Sequence, residues 1–169
     1  WYFQHIPGET IDMEVGFERI LIDDADEGKV LYTIGKDGIL WKLRRKDGQF
    51  LGLHETLPQN IYESINKKTG RLIYRKDILE ASLDQPFSAC PGIYGGHNWQ
   101  AASYDKISGL LIIPMHQLCS DMVGREVDKI EGGGGFGGDS KTYEMPGVNG
   151  KLGKLVALDL GTMKEKWSY

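Results

Sequence analysis

What the sequence lacks narrows it first. Only two of its 169 residues are cysteine, and neither the CxxC spacing of a zinc ribbon nor the CxxCH of covalent haem attachment occurs. On the residues alone, Cys90 and Cys119 are free core thiols, a disulfide, or half of a metal site. No apolar run approaches the roughly 20 residues that span a bilayer. No signal peptide is visible, and a chain that starts on Trp1 rather than Met is expected to be a piece of a longer protein. No Lys/Arg stripe tracks phosphates and the formal net charge is −4, so nucleic acid is not an expected partner. The basic stretch Lys42 to Lys46 runs into an apolar segment and is expected to coat an exposed strand face. The glycine-dense tract Glu131–Gly150 lacks the Lys-Ser/Thr of a P-loop and no helix follows it, which predicts a flexible excursion between strands. Amphipathic helices are absent as well; Thr56–Asn66 and Ile78–Leu83 have room for a helical turn each.

What is present is short, β-rich and punctuated. Runs of four to six residues rich in Ile, Leu, Val and Tyr cover Arg19–Ile22, Lys29–Ile34, Ile39–Leu43, Gln49–Leu53, Arg71–Tyr74, Leu110–Pro114 and Leu155–Leu158. The 23 glycines favour a turn-dense β protein over a helical one. An acidic or amide residue recurs four positions before a glycine at Asp24/Gly28, Asn66/Gly70 and Asp105/Gly109. Arg44/Gly48 is an altered copy, and in the last, from Asp159, the glycine is displaced to position 161. The side chain caps the turn and glycine supplies a positive φ, which predicts hairpin corners. Corners about every 20 residues fit antiparallel four-stranded blades of a β-propeller, of which this length supplies three to four. Two linkers, Asp84–Tyr94 and Glu131–Gly150, are expected to interrupt the pattern.

The stretch Cys90–Cys119 gathers the most side-chain chemistry. It holds Gly95-Gly96, the polar-aromatic run His97-Asn98-Trp99-Gln100 and an apolar strand between the two cysteines. It suits one wall of a ligand site, and equally a glycine-rich surface turn. Elsewhere the residues alone make Asp12 a turn aspartate, Lys36 a solvated hairpin lysine and Trp99 core filler. They also accommodate a non-catalytic propeller scaffold, or a secreted carbohydrate-binding β domain using its exposed Tyr and Trp.

Four tracts go further: WYFQHIPGETIDM, LYTIGKDGILWKL, CPGIYGGHNWQAASYD and GKLVALDLGTMKEKW. In their order and spacing they resemble the pyrroloquinoline quinone (PQQ)-dependent alcohol dehydrogenases, which include methanol and ethanol dehydrogenases. The resemblance covers nearly the whole chain. It implies an all-β fold, a sector of an eight-bladed β-propeller, with residues 1–169 forming part of one quinoprotein domain. It also implies oxidation of a primary alcohol to an aldehyde, with PQQ as hydride acceptor, calcium or a lanthanide ion as Lewis acid, and a periplasmic cytochrome c as electron acceptor.

Residue by residue, the resemblance gives Asp12 the role of catalytic base and Lys36 that of hydrogen-bonding the quinone oxygens. Asn98 and Trp99 line the quinone edge, His97 orients their loop, and Cys90 and Cys119 form a structural disulfide. His5, His54 and His116 receive structural roles. The position two after the catalytic aspartate tracks metal choice in the family, so Glu14 joins Asp12 as a metal ligand. If both lie on one strand face, the added carboxylate favours a lanthanide over calcium. The chain departs from the family in having Ile11 where a tryptophan precedes the aspartate. It also lacks the vicinal cysteines, the second stacking tryptophan and the Glu and Asn metal ligands, all expected upstream of Trp1.

Overall fold

Hairpin corners set the course of the chain. A computed structural model of the protein describes residues 1–24, 26–128, 131–133 and 137–169. In chain order the elements are β1 (Ile20–Asp24), β2 (Gly28–Thr33), β3 (Ile39–Arg44), β4 (Phe50–Glu55), β5 (Tyr62–Asn66), β6 (Arg71–Tyr74), α1 (Lys76–Leu79), β7 (Phe87–Ala89), β8 (Ser103–Asp105), β9 (Leu110–His116), β10 (Leu118–Gly124), β11 (Gly138–Glu144), β12 (Gly153–Asp159) and β13 (Lys164–Ser168). At the β1–β2 corner, Asp24 Oδ1 accepts from the N–H groups of Asp26 and Glu27, and Gly28 takes φ +76°. Asn66 and Asp105 cap the β5–β6 and β8–β9 corners in the same way, with Gly70 and Gly109 at positive φ. The last corner solves its missing glycine differently. Thr162 N–H donates to Asp159 Oδ1, and Met163, four residues after the aspartate, itself adopts φ +55°.

These corners separate in energy. Beyond Gly28 lies open space, whereas a Cβ on Gly70 would stand 2.8 Å from the Phe50 ring. Gly28→Ala is therefore expected to cost about 1 kcal/mol from the left-handed backbone alone. Gly70→Ala is expected to cost about 2 kcal/mol or more, because Phe50 must also move. Urea titration of the two variants measures the difference, and equal losses would contradict the packing of Phe50.

The protein is all-β, with antiparallel sheets ordered β1-β2-β3-β4, β13-β12-β9-β8, β11-β10-β7 and β5-β6. The expectation of four strands per sheet holds for the first two sheets; the others have three and two. The reason is an insertion. Between β9 and β12 the chain leaves its sheet to form β10 and β11, and β10 recruits β7 on its other edge. The two expected linkers are thus not plain loops. Residues 84–94 contain β7, and the tract 131–150 contains β11, although its residues 134–136 lie outside those described. Position 56–66 holds β5 rather than a helical turn, and the α1 turn begins two residues before the expected segment.

Strand β3 is the centre of the packing because it is buried on both faces. Leu40 joins Val30, Tyr32, Leu111, Ile113, Val156 and Leu158 in a core between the two four-stranded sheets. Ile39 and Trp41 point into a second core, closed by Ile6, Ile11 and Met13 of the N-terminal segment and by Ile61, Tyr62 and Ile78. Lys42 corrects the expectation of an exposed basic face. It is buried, with its ammonium 3.0 Å from Glu27 Oε2 and over the Tyr32 ring. The long stem lies along apolar surface while the charge finds a partner.

Candidate functional site

The N-terminal segment that closes the second core carries Asp12 and Glu14 past the β2–β3 turn. Alternate residues Ile11 and Met13 are buried, so the two carboxylates are left toward the turn. They do not lie on a strand, as expected for them; Asp12 has φ +66°, a left-handed conformation that costs a non-glycine residue about 1 kcal/mol. The carboxylates nonetheless converge. Lys36 Nζ lies 2.8 Å from Asp12 Oδ2 and 3.0 Å from Glu14 Oε2, and Lys36 N–H donates to the Glu14 carbonyl. Lys36 is buried while both carboxylates remain about half exposed. Burial works against its charge, but the hydrogen bonds to Asp12 and Glu14 outweigh this and hold its pKa above the usual lysine range. Asp12 Oδ1 has no hydrogen-bond partner among the described residues.

The Cys90–Cys119 stretch meets this group through its backbone. The two cysteines form a disulfide, with Cα atoms 4.4 Å apart where Ser120 pairs with Ala89 in the ladder. From there the turn folds onto Lys36: Gly96 N–H donates to the Lys36 carbonyl. A Cβ on Gly95 would stand 2.5 Å from Lys36 Cα, so the approach requires glycine. His97 is fully buried, its Nδ1 2.9 Å from the Pro114 carbonyl and its ring edge-on to Phe17, and it anchors the loop beyond the glycines. Asn98 Oδ1 accepts from Trp99 N–H and its amide donates to the Tyr94 carbonyl. Trp99 stands 78% exposed. The structure thus brings together Asp12, Glu14 and Lys36, with Gly95 and Gly96 against them, and leaves Trp99 on the surface.

Two titratable residues near this turn are shifted by burial: Asp37, which the sequence left without a role, and the partly buried His5, which it made structural. Asp37 accepts from Ile39 N–H and from the Trp41 indole, and burial pushes its carboxyl up to about 7. The signal was Trp41 itself, since a core indole N–H requires an acceptor. His5 packs on Phe3 and Trp41, and burial, helped by Arg19, lowers its pKa to about 4. The two act oppositely on stability. Asp37 is raised, so its contribution is present at low pH and lost as pH rises through about 7. His5 is depressed, so its contribution is present above about pH 6.5 and lost as pH falls through about 4. His5→Phe is expected to expose the Asp37 trend, so that stability declines from pH 4 to pH 7 more steeply than in the unsubstituted protein. Urea titrations across that range check it; a steeper rise would reverse the assignment.

On its other side Asp12 borders a cavity of about 600 Å³, between the N-terminal segment, α1 and strand β10. Among the described residues no group of three or more His, Cys, Asp or Glu forms a metal cage, and no helix is long and apolar enough to cross a membrane.

The fold is one already seen in solved structures. The europium-containing methanol dehydrogenase superimposes over 99% of this chain and 30% of its own, with a TM-score of 0.89 at 22% identity. The sequence relatives are more particular. The chain is 28% identical over 120 residues to the quinohemoprotein alcohol dehydrogenase ADH-IIG of Pseudomonas putida, covering 69% of this chain and 17% of that protein. It is 27% identical over 179 residues to the quinohemoprotein alcohol dehydrogenase of Comamonas testosteroni, covering 99% of this chain and 25% of that one. No family model matches. The chain is thus similar to quinohemoprotein alcohol dehydrogenases, as its four tracts imply, and it spans 17% and 25% of the length of these two curated relatives.

Proposed function

We propose that this chain forms one side of the active site of a periplasmic PQQ-dependent alcohol dehydrogenase, a sector of an eight-bladed propeller, which oxidises a primary alcohol to an aldehyde and passes electrons to a cytochrome c. The observation that carries the reading is the Asp12–Lys36–Glu14 group: a buried ammonium holds two half-exposed carboxylates and leaves one oxygen of Asp12 free.

The residues fit the groups the reading requires. Lys36 has three N–H bonds and uses two, on Asp12 and Glu14, so one remains for a quinone oxygen. Gly95 lies against Lys36 where a side chain would collide with it, and Gly96 N–H holds the Lys36 carbonyl. Asp12 and Glu14 offer two anionic oxygens to a hard cation that takes six to eight, the others coming from the quinone and from residues outside this group. When bound, PQQ and its cation supply the hydride acceptor and the Lewis acid.

The chain's own part is proton removal and orientation. Asp12 Oδ1 takes the hydroxyl proton of the alcohol as general base. Lys36 fixes Oδ2, so the free oxygen keeps its direction, and the remaining N–H of this buried ammonium stabilises negative charge. Asn98 and Trp99 contribute to the edge of the quinone site, with His97 and the disulfide holding their loop. Glu14 reaches the same point as Asp12 despite its extra methylene, and this second charge favours a trivalent lanthanide over calcium. Reconstitution of the intact protein with PQQ and either calcium or lanthanum, followed by alcohol-dependent dye reduction, tests the reading. Higher turnover with lanthanum is expected. Absence of quinone absorbance and of dye reduction with both ions would overturn it in favour of a binding scaffold.

A further inference from the structure

His97 is fully buried, yet only one of its ring nitrogens has a hydrogen-bond partner among the described residues. Nδ1 lies 2.9 Å from the Pro114 carbonyl, which can only accept, so Nδ1 carries a proton. In the neutral ring Nε2 is then a bare lone pair. The atom it faces is Glu18 Oε1, at 3.6 Å, itself an acceptor. Two acceptors turned toward each other in a buried site repel. A second proton on the ring turns the same contact into a charge-assisted one.

Glu18 stands where such a contact has consequences. Its Oε1 also accepts from Ala102 N–H at 2.7 Å, and its carbonyl accepts from the Thr33 hydroxyl at the end of β2. The residue thereby fastens the segment that carries Asp12 and Glu14 to β2 and to the chain leading from His97 into β8. Phe17 beside it lies edge-on to the His97 ring. From His97 the path to the site is one residue long, since Gly96 N–H donates to the Lys36 carbonyl. The charged and titratable groups around this loop are Glu18 and Arg19 on the N-terminal segment, Lys36 in the β2–β3 turn and His116 on β9. Arg19 directs its guanidinium to the Val15 and Phe17 carbonyls, and His116 Nε2 meets the Gln100 amide. Among the described residues, Glu18 is the one carboxylate within ion-pair distance of His97.

We propose that Glu18 is a positioning residue for the quinone-binding loop: it pairs with His97 when that ring holds a proton on each nitrogen, and so clamps Gly95 and Gly96 onto Lys36. This rests on the function proposed above. Glu18 acts through His97 and the loop, not on the reacting atoms. Raising the pH removes the Nε2 proton, leaves the lone pair against Glu18 and loosens the loop, so affinity for the quinone falls.

The experiment uses the intact protein, 15N-labelled at histidine, across about pH 5 to 8, where histidine titrates. Ring 15N signals report which nitrogens of His97 carry protons, and equilibrium dialysis with PQQ at constant lanthanum gives Kd. Glu18→Gln keeps an acceptor for Ala102 N–H and adds an amide that can bond to a bare Nε2, so the loop stays in place without the charge. In the unsubstituted protein, Kd is expected to rise about tenfold more than in Glu18→Gln as Nε2 goes from protonated to bare. Asp37, pushed up to about 7, is common to both proteins, so the difference between the profiles isolates the pair. If the two profiles run parallel, or Nε2 stays bare throughout, Glu18 has no positioning role while the dehydrogenase function stands. If neither protein binds PQQ at any pH, the function itself falls, and the role of Glu18 with it.

Discussion

Asp12→Asn is expected to lower kcat for alcohol oxidation by about a thousandfold while leaving PQQ bound. The size follows from removing a positioned general base, worth two to four orders of magnitude. The substitution is a clean one for three reasons. Asparagine accepts the left-handed backbone that Asp12 adopts at φ +66°. Its amide oxygen can keep the contact with Lys36 Nζ, now at 2.8 Å. That orientation places the NH2 group, which cannot accept a proton, where Oδ1 now lies free. Lys36 meanwhile keeps Glu14 as a partner at 3.0 Å, so its own placement survives. Quinone absorbance of the purified variant measures retention, and dye-coupled turnover measures chemistry. Activity within tenfold of the unsubstituted protein would remove Asp12 from the role of base.

Replacing both cysteines by alanine is expected to destabilise the protein by roughly 3–4 kcal/mol, the loop-entropy value for a closure of this length. The disulfide joins positions 29 residues apart, and the loop it closes contains the whole Gly92–Trp99 turn as well as β8 and β9. Its position amplifies the effect on the site. Cys90 N–H donates to Asn60 Oδ1 and its carbonyl accepts from Asn60 N–H, while Gly92 N–H donates to the Leu118 carbonyl. The bridge therefore fixes the root of the turn whose glycines lie on Lys36. Urea denaturation of the double variant in the intact protein measures the loss. A change under about 1 kcal/mol would mean that these hydrogen bonds order the loop without the bridge.

Strands that bury alternate apolar side chains were legible in the sequence. Arg71–Tyr74 is found with its expected ends, and β2, β3, β9 and β12 lie within a few residues of the expected runs. Strands held by backbone pairing alone were not. Strand β11, with sequence GDSKTYE, exposes most of its side chains, and every residue of β13 is exposed. Neither carries a hydrophobic pattern for a reader to find. Met163 was hidden for a related reason, since nothing in a methionine announces a left-handed backbone. At the site, Asp12, Lys36 and Glu14 were named through resemblance, and their meeting at one ammonium follows from the N-terminal segment crossing the β2–β3 turn. Sequence separation conceals such a crossing. The close approach of Gly95 to Lys36 was equally out of reach, because a glycine pair signals a turn without saying what lies against it.

The detour through β10 and β11 divides the protein by how far the chain must search. Each pairing of β1 through β4 joins neighbours in sequence across a tight corner. The other four-stranded sheet pairs β9 with β12 only after residues 117–152 have looped out and back. Closing a longer loop adds little to the equilibrium cost, because the entropy grows only with the logarithm of its length. Non-local pairing does slow the search for the native ladder. The two sheets that share a core thus sit at opposite ends of a kinetic scale. The β1–β4 meander, carrying Lys36 at its middle turn, is expected to form first and the β9–β12 ladder to close upon it.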